Sequence, residues 1–148
     1  MSQWHDYFKE LAHKILGYIT DETVASLYYQ QLAILAPSRE DREILAQLAT
    51  DEARHAANFR EVYRQITGQE ARRSPTSPPK NLSYQQAIRQ RILAESNDFM
   101  KYGDDFLTAP DMYLRSLFYK TGASEAQHGM SLSLLLNTPQ DYLRQSLK

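Results

Sequence analysis

The sequence predicts an all-α protein, a four-helix bundle made of two antiparallel helical hairpins. Three observations support this fold class. Apolar residues recur every three or four positions through four long segments, short links containing Pro37 and Pro110 join the segments in pairs, and one long polar linker separates the pairs. A chain of 148 residues is expected to form a single domain, 1–148.

The first two segments form the first predicted hairpin. The apolar stripe of the first segment extends from Phe8 to Ala36. The second segment begins at the capping pattern S-R-E-D of residues 38–41 and ends at Gly68. Because the link at Ala36–Pro37 is so short, these two helices are expected to be antiparallel neighbours.

The third and fourth segments form the second predicted hairpin. The third begins at the capping box S-Y-Q-Q from Ser83, and the fourth opens at Pro110 and continues to Leu135. The linker 68–82, rich in Pro and Ser, can span about 50 Å, more than the roughly 39 Å of a 26-residue helix. It is therefore expected to be a long crossover between the hairpins. A short C-terminal helix is expected to be capped by Thr138.

Six polar residues interrupt the apolar stripes, and their pattern repeats after 73 positions. Two helices each carry one Glu, and the other two each carry Glu-x-x-His. Such a repeat would bring four carboxylates together at mid-height of the bundle, where repulsion and desolvation favour a bound pair of cations. On a helix, residues three apart project to one side, so the Glu can bridge two ions while the His binds one. The six predicted ligands are Glu22, Glu52, His55, Glu95, Glu125 and His128.

The ligand set is rich in oxygen and poor in nitrogen, which favours Fe or Mn over a structural zinc. Glu10 and His13 have the same spacing but lie about 120° and 180° around the helix from Glu22, so they are predicted to be solvated. Tyr29 and Tyr102 are either core aromatics or hydroxyl donors to a Glu of a facing helix. Arg91 is either the partner of an acid or a residue at the edge of the stripe.

Composition excludes several other functions. The chain has no cysteine, so it cannot bind zinc or an iron–sulfur cluster through thiolates or use a thiol nucleophile. A net charge of −1 with scattered Lys and Arg gives no footprint for nucleic acid. No apolar run is long enough for a membrane span or a signal peptide, so a cytoplasmic protein without a membrane partner is expected.

The series Glu22, Glu52-x-x-His55, Glu95, Glu125-x-x-His128 resembles the ferritin-like superfamily, and within it the rubrerythrin group. The stretches D-E-T-V-A-S-L-Y-Y-Q-Q-L-A-I-L-A-P and D-E-A-R-H-A-A-N-F-R-E-V-Y-R-Q-I-T-G are similar to that group's first hairpin. The resemblance covers about residues 8–136 and implies two Fe ions, with Mn as the alternative. It also implies a further carboxylate after the third-helix Glu, a position that Asp98 occupies in E-S-N-D.

The activity that this resemblance implies is the reduction of hydrogen peroxide or dioxygen. Four Glu balance two Fe(II), and Asp98 adds the charge that favours the oxidised state, so it is expected to be catalytic, with Tyr29 and Tyr102 as candidate hydroxyl donors. The Cys-rich rubredoxin module of many rubrerythrins is absent from this sequence, so an external electron-donor protein is expected. Bundles of this kind commonly form homodimers. The alternative is a ferroxidase, or a bundle that binds metal without turnover.

Overall fold

The computed structural model describes residues 2–74, 76–77 and 83–136, and over these ranges the chain forms four helices and no strand. The helices are α1 (Gln3–Leu35), α2 (Arg39–Thr67), α3 (Tyr84–Thr108) and α4 (Met112–Leu135). The predicted all-α class with four long helices is therefore confirmed. The predicted C-terminal helix lies outside the described residues.

The helices are organised in two compact units. One contains α1 up to Ala33 together with α2 from Leu45, and it is called unit 1 below. The other, unit 2, contains α3, α4 and the segment 34–44 that links the first two helices. Each unit has its own buried apolar side chains, such as Ile15 and Phe59 in unit 1.

In unit 1 the contacts between α1 and α2 show an antiparallel pair. The Tyr18 ring lies 5.5 Å from the Phe59 ring, measured between centroids. Two turns further along α1, the Ser26 hydroxyl donates to the Ala49 carbonyl over 2.7 Å. Contacts that advance along α1 thus retreat along α2, as the short predicted link requires.

In unit 2 the helices α3 and α4 are also antiparallel, because Gly129 of α4 lies against Glu95 whereas the earlier Gly122 lies against the later Tyr102. Tyr102 stacks on Phe118 with 6.5 Å between ring centroids, and Phe106 lies 6.1 Å from Tyr119. Gly122 allows close approach, because a Cβ atom there would lie 3.4 Å from the Cβ of Tyr102. Both predicted hairpins are confirmed as packed helix pairs.

Local capping explains where the helices begin and end. The Ser38 hydroxyl accepts from the Asp41 amide at 3.0 Å, and Ser83 and Gln86 form the reciprocal capping box. The fourth helix starts two residues later than the predicted Pro110, because Asp111 is the cap and its carboxylate accepts from the Leu114 amide at 2.9 Å. Gly68 ends α2 with a φ of 71°, which favours glycine.

The linker that follows α2 has no helix or strand over residues 68–74 and 76–77, in agreement with its polar composition. The membrane prediction can also be compared with the structure. None of the helices in the described part of the chain has an apolar stretch long enough to cross a membrane.

Candidate metal centre

In unit 1 three of the predicted ligands meet between α1 and α2. His55 Nδ1 lies 3.0 Å from Glu52 Oε2 and 3.6 Å from Glu22 Oε2. One potential ligand atom from each residue lies within 4.8 Å of the others. All three side chains are buried. We call Glu22, Glu52 and His55 the first triad.

In unit 2 the other three predicted ligands form an equivalent group between α3 and α4. His128 Nδ1 lies 3.0 Å from Glu125 Oε2 and 3.7 Å from Glu95 Oε2. These ligand atoms also lie within 4.8 Å of one another. Glu95 and Glu125 are both 0 % exposed, and His128 is 4 % exposed. We call Glu95, Glu125 and His128 the second triad.

The donor chemistry of each triad fits a metal ion. Two carboxylates and one imidazole, all nearly excluded from water, converge within the distance that one cation can span. Burying ionised carboxylates together costs several kcal/mol per group unless a cation or hydrogen bonds compensate. Oxygen-rich sets with one imidazole are suited to Fe or Mn. Each triad can therefore contribute two carboxylates and one imidazole to a metal site.

Ser124 contacts the predicted ligand His128, although the stripe pattern predicts no role for Ser124. Its hydroxyl lies 3.3 Å from His128 Nε2, the ring nitrogen opposite the one that faces the two carboxylates. With Nε2 protonated, the ring donates to Ser124 and leaves Nδ1 free to bind a cation, the arrangement usual for metal-binding histidines. The i,i+4 spacing of Ser124 and His128 was the available signal.

Arg91 is resolved in favour of one of its two predicted roles. Its Nη2 lies 2.8 Å from Glu95 Oε1, so it is the partner of a buried acid. The guanidinium group is mostly buried, with 15 % of the side chain exposed. The position 73 residues earlier carries Tyr18, so the first triad has no arginine at this place.

Asp98 does not join the second triad in the structure. Its carboxylate is half-buried and lies 2.9 Å from Lys101 Nζ, one turn further along α3. It is absent from the groups of potential ligand atoms that lie within 4.8 Å of one another in the described residues. Its role as a ligand stays a prediction.

Tyr29 and Tyr102 are both fully buried. The Tyr102 ring stacks on Phe118 and has Lys101 Nζ 4.6 Å from its centroid, which agrees with a packing role. The role of either hydroxyl as a donor stays a prediction. Glu10 and His13 are exposed, so their predicted solvation is confirmed.

Comparison with known proteins bears on the same residues. A model of the Rubrerythrin family matches residues 14–136, a range that includes both triads and Asp98. No curated protein and no solved structure gives a significant match to the chain.

Proposed function

Because the chain belongs to the rubrerythrin family, we propose that it is a cytoplasmic di-iron protein that reduces hydrogen peroxide or dioxygen. The observation that carries the proposal is the pair of buried triads, each with two carboxylates and an imidazole. The family match crosses both compact units, which supports a single domain over residues 1–148.

The six residues of the triads are the proposed ligands, shared between two ions. Glu52 and His55 would hold metal from α2, and Glu125 and His128 would hold metal from α4. Glu22 and Glu95 would complete the set. Bound iron supplies electrons that the side chains of this protein cannot, with manganese as the alternative metal.

The reaction balances only with an external reductant. Hydrogen peroxide takes up two electrons and two protons and its O–O bond breaks, giving two molecules of water. Carboxylates of the triads would accept and return the protons. We propose that an external electron-donor protein restores the two electrons, because the 148 residues contain no cysteine for a thiolate-bound redox centre.

Asp98 is proposed as the residue that distinguishes the oxidised from the reduced site. Four glutamates balance the charge of two Fe(II), whereas two Fe(III) carry two further positive charges. A shift of the Asp98 carboxylate from Lys101 to the metal would offset one of them. Tyr29 and Tyr102 are proposed as hydrogen-bond donors to glutamates of facing helices.

The direct test is to load the protein with Fe(II) under anaerobic conditions, add one equivalent of hydrogen peroxide, and follow the near-ultraviolet absorbance of the oxidised site. Oxidation should be faster with peroxide than with dioxygen, the iron should stay bound, and a reduced rubredoxin-type donor should allow repeated cycles. Iron that oxidises and leaves as mineral would indicate a ferroxidase. Oxidation no faster than that of free iron would leave only metal binding.

An exposed groove between α3 and α4 is a candidate interface for a homodimer. A groove of about 350 Å³ has Phe99, Gly103 and Phe106 of α3 along one side. Tyr119 and Met130 of α4 form part of the other side, and no charged residue of the described ranges lines the groove. Large apolar side chains are also exposed elsewhere on the two helices, including Leu93, Met100, Leu107 and Met112.

We propose that this groove binds a second copy of the chain. In a two-fold dimer the same face meets itself, and a face without charge brings no like charges together. The matching positions of the first hairpin include a charge, since Arg54, which forms an ion pair with Asp51, lies where α4 has Gln127. The lack of charge therefore belongs to one hairpin only.

The dimer can be tested with matched substitutions. Met130→Asp should convert the dimer to a monomer in light scattering, because it would bury two like charges. Ala57→Asp, at the equivalent position of α2, should leave the mass unchanged. A monomeric wild type would contradict the proposal. A monomer in which Met130→Asp slows reduction would assign the groove to the electron donor instead.

A further inference from the structure

A second polar site lies in unit 1, in a pocket of about 340 Å³ between α1, α2 and the start of the linker. Three arginines line this pocket, namely Arg60 from α2 and Arg72 and Arg73 from the linker. The remaining lining residues are an isoleucine and four residues with hydroxyl groups, namely Ile19, Thr20, Thr23, Ser74 and Thr76. Among the residues that the structure describes, no carboxylate lines this pocket.

The arginines of the pocket differ in their ion pairing from two arginines of α2 that do not line it. Arg54 and Arg64 of α2 form ion pairs with Asp51 and Glu61, at 2.8 and 2.7 Å. Within residues 2–74, 76–77 and 83–136, the three pocket arginines form no such pair with a carboxylate. Three guanidinium groups around one cavity repel one another, and an anion in the cavity would offset that repulsion.

We propose that the pocket binds a phosphate-class oxoanion. The guanidinium group offers planar pairs of N–H donors that match two oxygens of a phosphate, so three such groups can share one anion. The hydroxyls of Thr20 and Thr23 already donate to the carbonyls of Leu16 and Ile19. The donors that are available without rearrangement are therefore the arginines and the hydroxyls of Ser74 and Thr76.

The pocket volume bears on the size of the ligand. At about 340 Å³ it falls at the lower end of the range for small-molecule sites and is larger than one inorganic phosphate needs. The anion is thus either free phosphate or the phosphoryl group of a small molecule such as a nucleoside monophosphate. This inference does not depend on the proposed function, since none of the lining residues is a proposed metal ligand.

The test is a calorimetric titration of inorganic phosphate, and separately of adenosine monophosphate, into the full chain in a low-salt buffer. Arg72→Gln/Arg73→Gln should weaken binding at least about tenfold, because each hydrogen bond to a charged group contributes about 1.5 kcal/mol or more. Arg60→Gln should do the same. Arg64→Gln is the matched control, since it removes one charge from α2 but its guanidinium is already paired with Glu61.

The outcomes separate the possible explanations. Tighter binding of the monophosphate than of phosphate would identify a phosphorylated small molecule, and equal binding would identify the free anion. Phosphate bound to iron would persist in all the arginine variants, and that result would overturn the proposal. The proposal would also be overturned if the wild type bound neither phosphate nor adenosine monophosphate, or if it bound only an oligonucleotide. Should Arg60→Gln fail to fold, the linker double variant decides, because Arg72 and Arg73 are exposed.

Discussion

The two helical hairpins carry the same triad in different electrostatic surroundings. In the first triad His55 lies 3.0 Å from Glu52, and in the second His128 lies 3.0 Å from Glu125, so the ligand geometry is repeated. The residues around the second triad are not repeated. Arg91 pairs with Glu95 where α1 has Tyr18.

The difference extends one turn further along the helix. The Asp98–Lys101 ion pair of α3 corresponds to Ala25 and Tyr28 in α1, two side chains without formal charge at neutral pH. Helix α3 thus carries charges of both signs near Glu95, at positions where α1 has uncharged side chains. From these unlike surroundings we propose that Arg91 and Asp98 adjust the charge balance around the second triad.

The largest expected effect concerns the ligands that the hairpins have in common. Glu52→Ala and Glu125→Ala should each bring the metal content below one ion per chain, because each removes a proposed carboxylate ligand from the set that the two ions share. If the triads bound ions independently, each variant would instead lose only one of two ions. Elemental analysis after iron loading distinguishes these cases, and exposed His13→Ala should retain the wild-type content.

Arg91→Gln removes the buried charge that the second hairpin has where the first has Tyr18. Glu95 is 0 % exposed, so loss of its guanidinium partner should lower the free energy of unfolding of the metal-free protein by about 3 kcal/mol. Arg54→Gln, which removes a surface ion pair, should cost less than about 1 kcal/mol. Urea unfolding measures both. Equal losses would mean that Arg91 does not stabilise the buried acid.

Asp98→Asn should have a smaller effect, confined to the oxidised site. The amide keeps the shape of the side chain and removes its charge, so Fe(II) loading should stay near the wild-type level. The diferric site should release iron about tenfold faster, equivalent to about 1.4 kcal/mol. Exposed Asp104→Asn serves as the control on the same helix. Unchanged release in Asp98→Asn would remove Asp98 from the proposed mechanism.

The parts of the site that follow from helical periodicity were predictable from sequence. Glu22 and Glu95 interrupt regular apolar stripes, and the spacing of Glu52 and His55 by three residues fixes their common side of α2. The i,i+4 pair of Arg91 and Glu95 was one of two open alternatives, because spacing permits a contact without requiring it.

Features that depend on the path of the chain outside the helices were not predictable. The pocket of Arg60, Arg72 and Arg73 requires the linker to return to α1, and no local pattern in a Pro- and Ser-rich stretch specifies that. The start of α4 predicted at Pro110 is two residues early, because both Pro110 and Asp111 suit a helix N-terminus. The Asp111 hydrogen bond to Leu114 decides between them.

The hairpins also differ in the contact that joins their two helices. Ser26→Ala tests this difference and should lower the free energy of unfolding moderately. Ser26 donates to the Ala49 carbonyl between α1 and α2, whereas the matching pair in unit 2 is Phe99 and Gly122. Loss of this buried hydrogen bond should lower the free energy of unfolding by about 1 kcal/mol. Thr50→Ala removes a hydroxyl that donates only within α2 and should change it by less than about 0.5 kcal/mol.

The smallest effect is expected at Tyr84, which occupies the position of Leu11 in the other hairpin. Burial, and then the negative charge of Asp41, raises the pKa of Tyr84 from 10.0 to about 12. Because the folded-state pKa lies above the unfolded one, folding favours the neutral phenol. This contribution is complete below pH 10 and is lost as the pH rises to about 12.

Tyr84→Phe should therefore make the melting temperature fall less steeply between pH 10 and about 12 than it does in the wild type. At neutral pH the substitution should be neutral or slightly stabilising, since the Tyr84 hydroxyl is buried and has no hydrogen-bond partner among the described residues. Tyr113→Phe, on the exposed start of α4, should keep the wild-type slope. If both variants gave that slope, the environment of Tyr84 would not differ from solvent, and this contrast between the hairpins would have no effect on stability.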